Sequence, residues 1–161
     1  PLDGRSEQNP AMTRPSPLRA DPASYPNKVQ ILARFADVDP LWHINNVAIA
    51  QYFEEARVST IRAMSGNSRI PATADERILI AKQTIDYVSE GNYPGALCVG
   101  IGVVRIVISS FTVGMAVFQD KRCVAVSDAV MVLANDQGPK AIPDDYRKRL
   151  EQQMLLISHE P

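Results

Sequence analysis

Between Arg34 and Asn46 the sequence crowds together two carboxylates, Asp37 and Asp39, one of its two histidines, His43, its single tryptophan, Trp42, and an asparagine pair, Asn45 and Asn46. A carboxylate can take a proton from water or attack an electrophilic carbon directly. An asparagine ahead of an apolar periodic run is a good helix N-cap. The N-terminus of such a helix offers unpaired N–H groups and partial positive charge, which polarise a carbonyl and stabilise an oxyanion. A carboxylate beside a helix start therefore suits acyl chemistry. The same residue types also build ordinary turns and caps, and spacing alone leaves both readings open.

The elements that must hold this stretch can be read on either side of it. Val29 to Ala36 alternates, with Val29, Ile31, Ala33 and Phe35 on one face, and predicts a first strand. Asp37-Val38-Asp39-Pro40 breaks the alternation, and Pro40 holds Asp39 in an extended conformation. From Val47 to about Met64 there is no Gly or Pro, and apolar residues recur at helical spacing through Val47, Ala50, Phe53 and Met64. Ser65-Gly66-Asn67 ends that helix, and a loop follows. Four strand-like stretches come next: Ile78–Val88, Ala96–Val107, Ser110–Gln119 and Cys123–Ala134. Their short connections favour antiparallel neighbours. Ile142-Pro143-Asp144-Asp145 opens a last helix that is expected to reach about Ile157. The order of strand, long helix, four strands and helix predicts an α+β domain, a five-stranded antiparallel sheet wrapped around one long helix. Its edge strands call for a partner, hence a homo-oligomer.

Composition narrows the function. Lys and Arg total 17 against 18 Asp and Glu, so no broad basic field exists for nucleic acid or an anionic membrane. The longest apolar run, Leu97 to Val104, is too short to span a bilayer. Cys98 and Cys123 lie in strand-like runs and read as free thiols of a cytoplasmic protein, and two histidines cannot build a multi-histidine metal site. No metal is expected. Residues 1–27 hold half of the 12 prolines and read as an extended or disordered arm, which leaves 28–158 as the folded domain. Gly100 and Gly102 fall inside a strand and mark a bulge or a close packing point.

The motif itself resembles the signature of the 4-hydroxybenzoyl-CoA thioesterase family of hotdog proteins, roughly D-x-D-x-x-G-H-V-N-N-x-x-Y-x-x-Y-x-E-x-A-R. Here it stands as Asp37-Val38-Asp39-Pro40-Leu41-Trp42-His43-Ile44-Asn45-Asn46, followed by Tyr52-Phe53-Glu54-Glu55-Ala56-Arg57. Thr84-Ile85-Asp86-Tyr87, Ser109-Ser110-Phe111-Thr112 and Ile142-Pro143-Asp144-Asp145-Tyr146-Arg147 resemble later family segments in the right order, so the likeness spans about 29 to 150.

The resemblance implies a hotdog fold and hydrolysis of an acyl-thioester, on coenzyme A or on an acyl carrier protein. It implies Asp39 as the catalytic carboxylate, as nucleophile or general base, with Asp37 supporting it. It implies an oxyanion donor at the backbone N–H of Asn46, with Asn45 beside it, and a role for His43 on the acyl group or in the loop. Tyr52 becomes core or pocket wall, Glu54 and Arg57 a helix-face pair or a dimer contact, and Ser110 a neighbour of the pantetheine arm. No cofactor is implied beyond the CoA or phosphopantetheine that arrives with the substrate. The partners implied are a homodimer or homotetramer with its pocket between subunits.

Two departures stand out. Trp42 occupies the signature glycine, a position that permits positive φ. Together with loop 66–77 it is expected to set the depth of the acyl pocket. The residues just before Ser109 are apolar where some members carry cations, so CoA phosphates would fall to Lys121, Arg122 or Lys140. This departure keeps a carrier-protein donor, or a non-catalytic acyl-CoA-binding role, as the alternative.

Overall fold

The computed structural model describes residues 15–64 and 75–156. Residues 1–14 of the arm, most of loop 66–77, and the chain end with Ile157 and His159 lie outside the described residues. The elements are β1 (Asn27–Leu32), α1 (Asn46–Met64), β2 (Arg77–Tyr87), β3 (Ala96–Ile106), β4 (Ser110–Gln119), β5 (Arg122–Asn135), the two-residue β6 (Gly138–Pro139) and α2 (Asp144–Glu151). The main sheet runs β1-β3-β4-β5-β2, with β6 hung on β5, and every pairing is antiparallel. The turn Asp120-Lys121, with φ of 50° and 65°, joins β4 to β5 in the left-handed geometry that matches strand twist.

Register shifts at Ile80/Lys82, Val103/Arg105 and Val117/Phe118 bend the strands, because an extra residue on one strand increases local twist. The curled sheet receives α1 on its concave face. Ile49, Tyr52, Phe53, Ala56 and Thr60 recur three or four residues apart on the buried side of the helix. Ile49, Tyr52, Phe53 and Ala56 join Leu97, Val99, Ile101, Val113, Met115 and Val117 in one apolar cluster, and Phe53 and Met115 have no exposed surface. Truncating Phe53 to Ala is expected to cost about 3–5 kcal/mol through lost burial and the cavity left behind.

The opposite face of the sheet is covered by residues 15–26 and by the segment around Leu155. Tyr25 lies against Gly100 so closely that a Cβ there would meet the ring at 2.6 Å, which makes this glycine a close packing point. Arg19 reaches Asp128 of β5 at 2.8 Å, fastening residues 15–26 across the sheet.

Two expected boundaries are corrected. The first strand starts at Asn27 and stops at Leu32. Phe35–Asp37 is a 3-10 turn, because the Asp37 carboxylate accepts the Arg34 N–H at 2.8 Å and closes the chain on itself. The last helix ends at Glu151 rather than running toward residue 157. There the backbone finds better partners on the sheet: Val103 N–H donates to Gln153 O at 2.7 Å, and Leu155 N–H donates to Val103 O at 2.8 Å.

Candidate active site

Asp39 and His43 face each other across a tight turn. Asp39 N–H donates to His43 O at 2.9 Å, and Trp42 N–H donates to Asp39 O at 3.0 Å. Pro40 supplies the fixed φ that suits the second residue of a turn, and Trp42 takes the left-handed position at φ 67°. This is a three-residue hairpin loop whose last residue is left-handed, the place that glycine fills most easily. The Trp42 side chain therefore sits at a strained backbone position while remaining 69% exposed, with Leu41 beside it at 73%.

The Asp39 carboxylate is asymmetric in its bonding. Oδ1 accepts the Leu41 N–H at 2.8 Å and the His43 N–H at 3.1 Å. Oδ2 has no hydrogen-bond partner among the described residues. Turn residue and reactive group are thus not competing descriptions of Asp39: one oxygen braces the loop and the other is free for chemistry.

Asp37 is different. It is only 3% exposed, and its two oxygens take the Arg34 guanidinium at 2.7 Å, the Arg34 N–H and the Tyr52 hydroxyl at 2.7 Å. The Arg34 side chain, with the backbone and Tyr52 bonds, outweighs burial and lowers the Asp37 pKa to about 2. Burial, then the Asp37 bond, pushes the Tyr52 hydroxyl well above its ordinary value. Tyr52, expected as core or pocket wall, is core that also anchors this carboxylate. Asp37 O in turn accepts the Asn45 N–H at 2.9 Å, which fastens the start of α1 to the turn.

Asn45 caps that helix, its Oδ1 accepting the Ala48 N–H at 2.7 Å. The N–H groups of Asn46 and Val47 are left without an acceptor among the described residues, as the geometry of a helix start requires. Val47 itself is 68% exposed. Two N–H groups at a helix start, a half-bonded carboxylate and exposed apolar side chains are therefore neighbours along one short stretch.

A second segment fixes this stretch from below, and nothing in the spacing of the sequence announced it. Ile44 N–H donates to Gly91 O at 2.8 Å, and His43 bridges to Asn92. Gln119, buried at the end of β4, holds Asn92 by both backbone groups at 2.8 Å each. Glu90 Oε2 stands 3.2 Å from His43 Nε2. Only the pairing of β4 with its neighbours brings Gln119 and Glu90 to the motif.

The remaining expected residues are not gathered here within one chain. A Cβ on Gly91 would stand 3.5 Å from Val124, which sets the Asp39 loop beside the start of β5. Ser110 pairs with Val132, near the other end of the same strand. Eight residues of strand separate these levels, roughly 26 Å. Glu54 is exposed on α1 and Arg57 is buried, and the two form no ion pair. Of the cations considered for CoA phosphates, Arg122 donates to Glu90 O at 2.7 Å and Lys140 pairs with Glu76, while Lys121 is exposed at the hairpin tip.

Over residues 33–150, which include every site residue discussed above, the sequence matches the thioesterase-like superfamily. The chain belongs to that superfamily. Solved structures agree in fold, which is the hotdog. A predicted thioesterase from Bacillus stearothermophilus superposes with a TM-score of 0.72 at 26% identity, covering 81% of this chain and 98% of the other. A Thermus thermophilus thioesterase complexed with coenzyme A and Zn gives 0.70 at 24% identity, with 81% and 95% covered. A 1,4-dihydroxy-2-naphthoyl-CoA thioesterase from Synechocystis gives 0.67 at 15%, with 76% and 93% covered. No curated protein matches the sequence significantly. Superfamily membership, with the 26%-identical Bacillus structure, supports thioester hydrolysis as the general chemistry, and the less similar structures show the fold. Among the described residues, no helix is long and apolar enough to cross a membrane.

Proposed function

We propose that this protein is an acyl-CoA thioesterase in which Asp39 is the catalytic carboxylate. The observation that carries the reading is the half-bonded Asp39: Oδ1 is held by two backbone N–H groups, Oδ2 is open, and a capped helix start lies beside it. As a nucleophile, Oδ2 attacks the thioester carbon and expels the thiolate, and water then hydrolyses the acyl-aspartyl anhydride. As a general base, Oδ2 takes a proton from water while that water's oxygen attacks. Both routes end in a carboxylic acid and a thiol. In both, the N–H groups of Asn46 and Val47 receive the oxyanion. His43 orders the turn from its place against Glu90, and Trp42 and Leu41 offer apolar surface to the acyl group. CoA or phosphopantetheine enters as part of the substrate, and no separate cofactor is needed.

The protein acts in this reading as a homodimer or homotetramer in the cytoplasm, where Cys98 and Cys123 remain free thiols. The pocket forms between copies, and Ser110 serves the site of a neighbouring subunit. One observation favours a carrier-protein donor as the second reading. Arg122 and Lys140 are already engaged by Glu90 and Glu76, and Ile108 leaves the β3–β4 hairpin tip exposed and apolar.

The test is thiol release from acyl-CoAs ranging from acetyl to palmitoyl and aromatic acyl groups, with wild type beside Asp39→Asn. Asp39-dependent release is expected and names the acyl class. Release from acyl carrier protein esters alone selects the second reading. Binding of acyl-CoA without turnover of either ester assigns a non-catalytic role.

A further inference from the structure

Gln119, the last residue of β4, is only 5% exposed. Its Oε1 accepts the Asn92 N–H and its Nε2 donates to Asn92 O, both at 2.8 Å. One side-chain amide thus pairs with both backbone groups of a single residue, as a neighbouring strand would. Room is left for it: a Cβ on Gly95 would stand 2.5 Å from Gln119 Nε2. Gly95 lies outside the left-handed region, so the close approach of the amide, and not the backbone, calls for glycine here.

What Asn92 touches gives this clamp its meaning. Asn92 forms an antiparallel bridge with His43, and Gly91 O accepts the Ile44 N–H at 2.8 Å. The His43 N–H in turn donates to Asp39 Oδ1 at 3.1 Å. A continuous path of polar contacts therefore runs from Gln119 to the carboxylate. The residues just before Asn92 are tied to β5 instead. Ser89 Oγ donates to Cys123 O at 2.6 Å, and Arg122 donates to Glu90 O at 2.7 Å. Among the described residues, no other side chain bonds Asn92.

The start of α1 has its own anchor, since the Asn45 N–H donates to Asp37 O at 2.9 Å. The two halves of the site are fastened independently. Freeing Asn92 lets His43 drift and lets the Asp39 carboxylate rotate, while the N–H groups at the helix start stay in place. A group aimed at a reacting atom is sensitive to such drift, because a misplacement of about 1 Å can cost roughly a hundredfold in rate.

We infer that Gln119 is a positioning residue for the reaction at Asp39: its amide, in the room that Gly95 leaves, fixes Asn92 and, through His43, the aim of the carboxylate. The inference rests on the reading of Asp39 as the catalytic group.

The experiment compares Gln119→Met and Gly95→Ala with wild type, by amide hydrogen exchange and by steady-state thiol release well below the melting temperature. Gln119→Met keeps the length of the side chain and removes both bonds. Gly95→Ala leaves Gln119 in the chain and displaces its amide, so it carries the test if the first variant folds poorly. Both should speed exchange of the Asp39 and His43 N–H groups and leave those of Asn45 and Ala48 unchanged. Both should lower kcat by about tenfold to a hundredfold at unchanged KM, the pattern of an interaction lost at the transition state. Val126→Ala, a truncation in the apolar cluster on the outer face of the sheet, should lower the melting temperature without changing kcat. Unchanged exchange at Asp39 and His43 in both variants overturns the inference. Faster exchange with an unchanged kcat also overturns it. In either case, loss of turnover in Asp39→Asn leaves the catalytic reading standing. A wild type without Asp39-dependent turnover overturns that reading and this inference together.

Discussion

Asp37 and Asp39 stand two residues apart and do opposite work. Asp37 is sealed against solvent with both oxygens bonded to Arg34 and Tyr52, whereas Asp39 spends one oxygen on its own turn and keeps the other free. The difference comes from the chain on either side. The 3-10 turn at Phe35–Asp37 points the first carboxylate toward α1, and the Pro40 turn leaves the second at the rim. A saturated carboxylate is an anchor, because every lone pair that could accept a substrate proton is occupied. A half-saturated one is oriented and still reactive. The stretch thus divides into a fixed half and an open half, and the fixed half holds the helix start that the open half needs.

The largest effect should come from the open half. Asp39→Asn keeps an oxygen for the Leu41 and His43 N–H groups and removes the reactive one. It should lower kcat by at least about a hundredfold with an unchanged melting curve. Asp39→Ala should lose activity and also loosen the turn, seen as faster amide exchange at residues 41–43. Full activity in a folded Asp39→Asn protein would end the assignment.

The fixed half should answer in stability. Asp37→Ala leaves the Tyr52 hydroxyl buried without an acceptor and frees Arg34, at an expected cost of about 2–3 kcal/mol in denaturant titration. Loss of activity in this variant should track unfolding.

A smaller effect should appear with pH. The Asp37 pKa falls from 3.8 to about 2 on folding, so its stabilisation is present above the unfolded value and is lost as pH drops through the folded one. The contribution is on the order of 1–2 kcal/mol, reduced because Arg34 is solvated. Asp37→Asn should flatten the stability profile in that acid range. An unchanged slope would show that other carboxylates set it.

The smallest effect should sharpen the reading of Trp42. Trp42→Gly relieves the positive φ, partly offset by the greater freedom of glycine in the unfolded chain. It should stabilise the protein by up to about 1 kcal/mol. The same change should shift acyl preference toward longer or bulkier groups. A lower melting temperature, with an identical acyl profile, would make the indole a packing residue instead.

Local chemistry determined much of this protein. The absence of Gly and Pro from Val47 to Met64, with Asn45 ahead of it, specified α1 and its cap, since both depend on neighbours within a few residues. Alternation and short connections specified β2 to β5 for the same reason. The motif order identified the superfamily and pointed to Asp39. Alternation failed at Ala33–Ala36, where a side-chain bond three residues away bent the backbone, and past Glu151, where β3 offered hydrogen bonds that the helix lacked. What the tertiary structure alone decided are the meetings between distant segments. Gln119 and Glu90 support the Asp39 turn, Ser110 lies far from it within one chain, and Arg57 is buried beside β2 with Gln83 as its hydrogen-bond partner among the described residues. Spacing along a chain does not encode such meetings, because they depend on which strands pair and how far the sheet curls.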